Sequence, residues 1–163
     1  MNQDGATLTT DGTTVWVGNG SATTSQYTGL RFNNVTIPPG ATIKSAQVQV
    51  YSAQSQWITL AYNIYADKST NSIAFSTSSL PSQRSLTTAF STVSDNVDWA
   101  GSTWYSLPDV TPVIQEIVNQ PGWVSGNSLS IIMQGTGGAY ARKFIDAFDG
   151  TPADAAKLVI SYQ

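Results

Sequence analysis

Leu107 to Trp123, LPDVTPVIQEIVNQPGW, is the only stretch of this chain whose apolar residues recur with the period of a helix. Val110, Val113, Ile114, Ile117 and Val118 fall at i, i+3, i+4, i+7 and i+8, with Gln115, Glu116 and Asn119 on the other side. Thr111 is placed to cap, Pro112 suits the first helical position, and Pro121-Gly122 blocks continuation, so a helix is expected over 112–119. Isolated helices shorter than ~12 residues are marginal in water, so this one persists only if its apolar stripe is docked on something larger. The rest of the chain must build that surface.

The rest reads in the period of a strand. Residues 1–12 form a loose arm ending in the turn signal Asp11-Gly12, and 13–163 form one domain. Thr13 to Val17 and Tyr27 to Ile37 are β-prone, the second closed by Pro38-Pro39-Gly40. In Ile43 to Ser52, Ala46, Val48 and Val50 share a face; in Trp57 to Ala66, Ile58, Leu60, Tyr62 and Ile64 do. The short Ser52 to Gln56 segment between them predicts a hairpin, with Val50 opposite Ile58 and Tyr51 beside Trp57 on the outward face. Asp67 to Asn96 reads as a long connection with one or two short strands that crosses from one sheet to the other. Leu129 to Gln134, Tyr140 to Phe148 and Lys157 to Tyr162 complete the set. About eight strands with one docked helix predict an all-β fold, an antiparallel β-sandwich of jelly-roll type.

Composition narrows the chemistry. Charged residues are only 10% of the chain, with Lys+Arg 7 against Asp+Glu 10. A net charge of −3 gives no electrostatic footprint for nucleic acid, and no apolar run approaches the ~18 residues of a membrane span. The opening MNQDGATLTTDG has no signal-peptide character. Without cysteine there is no disulfide or thiol chemistry. Without histidine there is no Ser-His or Cys-His nucleophile, and the commonest transition-metal ligand is missing. The chain is read as not an enzyme.

The succession GLRFNNVTIPPGATIKSAQVQVYS, NIYAD, LPDVTPVIQEIVNQPGW, NSLSIIMQG and FDGTPADAAKLVISY resembles β-sandwich modules of secreted bacterial polysaccharide-active and cell-surface proteins, of the jelly-roll carbohydrate-binding type. The resemblance spans about Thr28 to Tyr162 and implies a jelly roll that works outside the cell. Sandwiches of this kind carry sugar-binding, adhesive and architectural roles alike.

Candidate binding residues are the aromatics. Tyr51, Trp57 and Tyr65 are expected to form an outward platform for sugar rings, with Gln47, Gln49, Thr59 and Asn63 as hydrogen-bonding neighbours; the other reading packs them under the Asp67 to Asn96 connection or against another subunit. Trp99, Trp104 and Tyr105 carry the same ambiguity in a loop. Asp146 and Asp149 are candidates for a structural Ca²⁺, although their spacing matches no EF-hand; no other cofactor is indicated. Two functions follow. One is a surface-displayed structural or decoration protein, such as a phage virion cement protein, whose partner is a protein shell or another copy of itself. The other is a module recognising a neutral polysaccharide. A chain starting at Met with no leader or linker is expected to be the first, displayed on a virion surface or extracellularly.

Overall fold

The computed structural model describes residues 1–10 and 12–163, so the Asp11 half of the expected Asp11-Gly12 turn lies outside the described residues. Its strands are β1 (Asn2–Asp4), β2 (Thr7–Thr9), β3 (Thr14–Gly18), β4 (Gln26–Phe32), β5 (Ile43–Ser52), β6 (Leu60–Ala66), β7 (Ser91–Asp95), β8 (Thr103–Ser106), β9 (Leu129–Gly135), β10 (Arg142–Asp146) and β11 (Lys157–Tyr162), with one helix α1 (Thr111–Val118). They form two antiparallel sheets. One has the order β2-β1-β4-β9-β6-β7; the other runs β11-β5-β10-β3, with β8 also paired to β5. From β3 to β10 the neighbours are β3-β10-β5-β8 and β4-β9-β6-β7, the eight-strand arrangement of a jelly roll.

Alternation sorts each strand's residues between core and surface. Val15, Val17, Ala46, Val48, Val50 and Ile145 point inward from the five-stranded sheet, and Leu60, Tyr62, Ile64, Leu129, Ile131 and Met133 from the six-stranded one. α1 packs against β5 and β6, one strand of each sheet, and so closes one side of the sandwich with Val113, Ile114, Ile117 and Val118 buried. The Gln115 carboxamide stitches it down, accepting the Ile43 N–H at 2.8 Å and donating to the Ala41 carbonyl at 3.0 Å.

Several expectations change. Thr111 does not cap: Val110 is the N-cap, the helix begins at Thr111 and ends one residue earlier than 119, and the Thr111 hydroxyl instead accepts the Ala46 N–H at 2.9 Å. Asn2–Asp4 is no loose arm, because β1 pairs with β4 and Asn2 and Gln3 are buried. The described residues form eleven strands, eight of which, β3 to β10, make the expected jelly roll, with β1, β2 and β11 added at its edges. The hairpin between β5 and β6 does not exist, since the two strands belong to opposite sheets and Ser52 to Thr59 crosses between them. The same alternation serves a hairpin or two strands facing each other across a core. Conversely, the Asp67 to Asn96 connection does not cross; it returns as β7 beside β6.

Two buried amides finish the edges of the β3–β10 pair where no strand does. Trp16 and Phe144 are opposite one another in register. Asn2 accepts the Trp16 N–H and donates to its carbonyl, both at 2.8 Å, linking the sheets on one side. On the other side the Gln56 carboxamide accepts the Phe144 N–H and donates to the Phe144 carbonyl at 2.9 Å. Each amide satisfies a backbone N–H that would otherwise be orphaned, while the Trp16 carbonyl also accepts from the Thr28 hydroxyl and the Phe144 carbonyl from the Ala53 N–H.

Candidate functional site

The aromatic residues singled out from the sequence are separated by the fold. Tyr51 lies on the outward face of the five-stranded sheet, opposite Trp104 in register and edge-on to it at 5.2 Å, with the Lys157 ammonium 3.7 Å from the Trp104 ring centre. Trp57 stands at the rim, 76% exposed. Tyr65 is on the outward face of the other sheet. The three make no common platform, because the hairpin that would have aligned them is absent. Trp99 is core: it is 4% exposed, stacked on Tyr105 at 4.7 Å and 7°, and covered by the Lys143 ammonium at 4.8 Å.

Tyr65 belongs to a different cluster. The register aligns Tyr27, Gln134, Asn63 and Thr92 in one row across β4, β9, β6 and β7, all pointing out. Gln134 donates to the Tyr27 hydroxyl at 3.2 Å, the Thr92 hydroxyl donates to Asn63 Oδ1 at 3.0 Å, and the Asn63 side-chain amide donates to the Tyr65 hydroxyl at 3.3 Å. Tyr65 then stacks on Phe90, centroids 5.1 Å apart, and Phe90 is 51% exposed. Burial, and then Tyr65, push the Tyr27 phenol above its ordinary value, so it stays a neutral donor throughout the physiological range.

Part of this sheet face is covered. The 67–90 connection lies on it through Arg31 to the Ser72 carbonyl at 2.8 Å, Asn127 to the Thr70 carbonyl at 2.8 Å, and Phe75 over Gly29. A Cβ at Gly29 would come within 2.7 Å of the Phe75 ring, which is why the middle of β4 is a glycine. Arg84 and Asp67 pair beneath this cover at 2.7 Å. Of the three aromatics that the alternative reading packed under this connection, Tyr65 meets it through Phe90, whereas Tyr51 lies against Trp104 and Trp57 is exposed. Beyond the row, Gln134 borders a cleft of about 550 Å³ between residues 19–26 and 134–139, lined by Asn, Gln, Ser, Thr, Ala and Gly without a charged side chain.

Asp146 and Asp149 line another cleft of about 490 Å³. Burial, and then Asp154, raise the Asp146 carboxyl above its ordinary value. Among the described residues no three acidic, histidine or cysteine side chains converge in a metal-binding group, so a Ca²⁺ here would have to draw most of its six to eight oxygens from backbone carbonyls and water. Asp67, Asp95, Glu116 and Asp4 have partners. Burial pushes Glu116 up, but the amides of Ala89 and Thr88 and the Lys68 ammonium outweigh it and hold the group below its ordinary value. Asp4 is likewise held low, burial being outweighed by Ser21, Ala22 and Arg142.

Tyr27, Gln134, Phe90 and Thr92 were missed because their neighbours come from four different strands. The glycine inside the strand pattern of β4 was the one local sign that something lies over this face. No protein-family profile matches the chain, and no curated protein is similar to it. Among the described residues no helix is long and apolar enough to cross a membrane.

Proposed function

We propose that this chain is a non-catalytic recognition module that binds a neutral glycan on the uncovered part of its six-stranded sheet, on a cell surface or particle exterior. The observation that carries this is the row Tyr27, Gln134, Asn63 and Thr92 beside the Tyr65–Phe90 stack: neutral donors and acceptors flanking apolar ring faces suit a sugar, which has hydroxyls at its edge and C–H groups on its faces. The uncharged cleft at Gln134 extends the same chemistry. The absence of histidine, and the engagement of Glu116, Asp67 and Asp95 by backbone amides or cations, support a module without catalysis.

Tyr65→Ala and Phe90→Ala are each expected to weaken glycan binding about five- to tenfold, from loss of about 1 kcal/mol of ring contact, while the melting midpoint stays within a few degrees. A glycan array followed by calorimetry on the captured sugar measures this. An array with no hit, or variants that bind as the parent does, would end the proposal.

A structural or decoration role is the second reading, favoured by the edge strand β11. It pairs with β5 alone and exposes Val159 and Tyr162, a backbone edge and apolar surface of the kind that a neighbouring chain covers. If this edge assembles, sedimentation will show self-association or addition to a shell, and Val159→Lys will abolish it without lowering the midpoint. A strictly monomeric chain that adds to no shell speaks against it.

A further inference from the structure

A second site stands on the opposite sheet, around Arg142. Its guanidinium carbon lies 5.1 Å from the centre of the Phe144 ring, 5.2 Å from Tyr140 and 5.9 Å from Trp16, and among the described residues no carboxylate is within ion-pairing distance of it. Asp4 is near enough for its carboxyl to feel Arg142, but both Asp4 oxygens are already taken by the amides of Ser21 and Ala22. Trp57 and Ile58 stand exposed in the cleft, about 240 Å³, that they line with Tyr140, Arg142 and Phe144.

The cleft is held firmly. Trp16 and Phe144 sit on the backbone pair whose two edges are finished by Asn2 and Gln56. Tyr140 is 58% exposed with φ of 61°, a left-handed conformation unusual for a bulky residue, fixed by its N–H donating to the Gly20 carbonyl at 2.8 Å. Such backbone strain persists only where surrounding contacts impose it. An exposed tryptophan, a strained exposed tyrosine and a cation without an anion converge on one small concavity.

We propose that this cleft binds one acidic sugar residue, a uronate. The guanidinium fork takes the carboxylate in paired charge-assisted hydrogen bonds, and the C–H face of the ring lies on Trp57 and Tyr140. A neutral sugar supplies the ring face but leaves the arginine unmatched, and a small anion supplies the charge but leaves the indole bare. The volume, below the ~300 Å³ at which drug-sized pockets begin, fits a single ring. Because the chain carries a net charge of −3, the attraction is local and falls with added salt.

The test uses a uronic-acid tetrasaccharide and its carboxyl-reduced neutral counterpart, followed by calorimetry and tryptophan emission. The parent is expected to bind the uronate at least about tenfold more tightly than the neutral form, with a change in emission. Arg142→Gln and Trp57→Ala are each expected to remove that preference, and Tyr65→Ala, on the other sheet, to leave it intact. Equal binding of the two sugars, no uronate binding at all, or a preference that survives Arg142→Gln would overturn the assignment. So would an Arg142-dependent dimer in sedimentation, which would give the cleft to a carboxylate of a second copy.

Discussion

Replacing Lys143 with alanine is expected to cost about 3 kcal/mol of unfolding free energy. The Lys143 side chain is 0% exposed, projecting inward from β10 of the five-stranded sheet. Its ammonium donates to the Val97 carbonyl at 2.5 Å, pairs with Asp95 at 3.3 Å at the end of β7 in the other sheet, and lies over the Trp99 ring. It therefore ties β10 to the end of β7 in the other sheet, in a chain with no cysteine. Removing one partner of a buried pair leaves the other charge uncompensated, which typically costs about 3–5 kcal/mol; Asp95, at 17% exposure, recovers some hydration, which places the loss at the lower end. Removing both charges at matched volume, Lys143→Met with Asp95→Asn, is expected to bring stability back to within about 1 kcal/mol of the parent. Urea unfolding with an unchanged m value measures both. A Lys143→Ala protein as stable as the parent would show that this tie contributes nothing.

The inward alternation that makes room for Lys143 was readable, since Arg142 and Lys143 fall on opposite faces of one strand. The faces of β5 and β6 were readable for the same reason: Val48, Val50, Leu60, Tyr62 and Ile64 alternate without a break, and all are buried. The partners of those strands were not. Alternation reports which side of a strand meets the core and is silent on whether the next strand lies beside it or across from it, so β5 and β6 were joined in a hairpin that the fold divides between two sheets. Everything built on that hairpin, above all the Tyr51–Trp57–Tyr65 platform, went with it.

The N-terminal strand was illegible for a different reason. Asn2 and Gln3 are polar and carry no strand pattern, yet both are buried, because their carboxamides bond to the Trp16 backbone and to Ser82 and Gly5. A buried amide satisfied by distant backbone leaves no periodic trace in sequence. Gln56 is the same case on the other side of the β3–β10 pair. Both candidate sites depend on such long-range placements: one on four strands brought into a row, the other on loops 53–59 and 140–141 meeting over Phe144. Residue types showed neutral polar and aromatic side chains and no histidine. Only topology showed which aromatics share a surface.

The helix was the most legible element, and its substitution carries the other large effect. Ile114 is fully buried, and α1 touches one strand of each sheet. Ile114→Asn removes that apolar contact and places a carboxamide in the core that β5 and β6 line with residues such as Val48 and Ile64. Loss of the packed volume, together with a buried polar group without a partner, is expected to cost about 3–5 kcal/mol, lowering the midpoint by several degrees or leaving the chain unfolded. Ile114→Val, which removes one methylene, should cost about 1 kcal/mol and keep the fold. Neither proposed glycan site includes a helix residue, so the valine variant is expected to bind both sugars as the parent does, at a temperature well below its midpoint. A valine variant with an unshifted midpoint and lost binding would show that the helix belongs to a binding site and does more than close the sandwich.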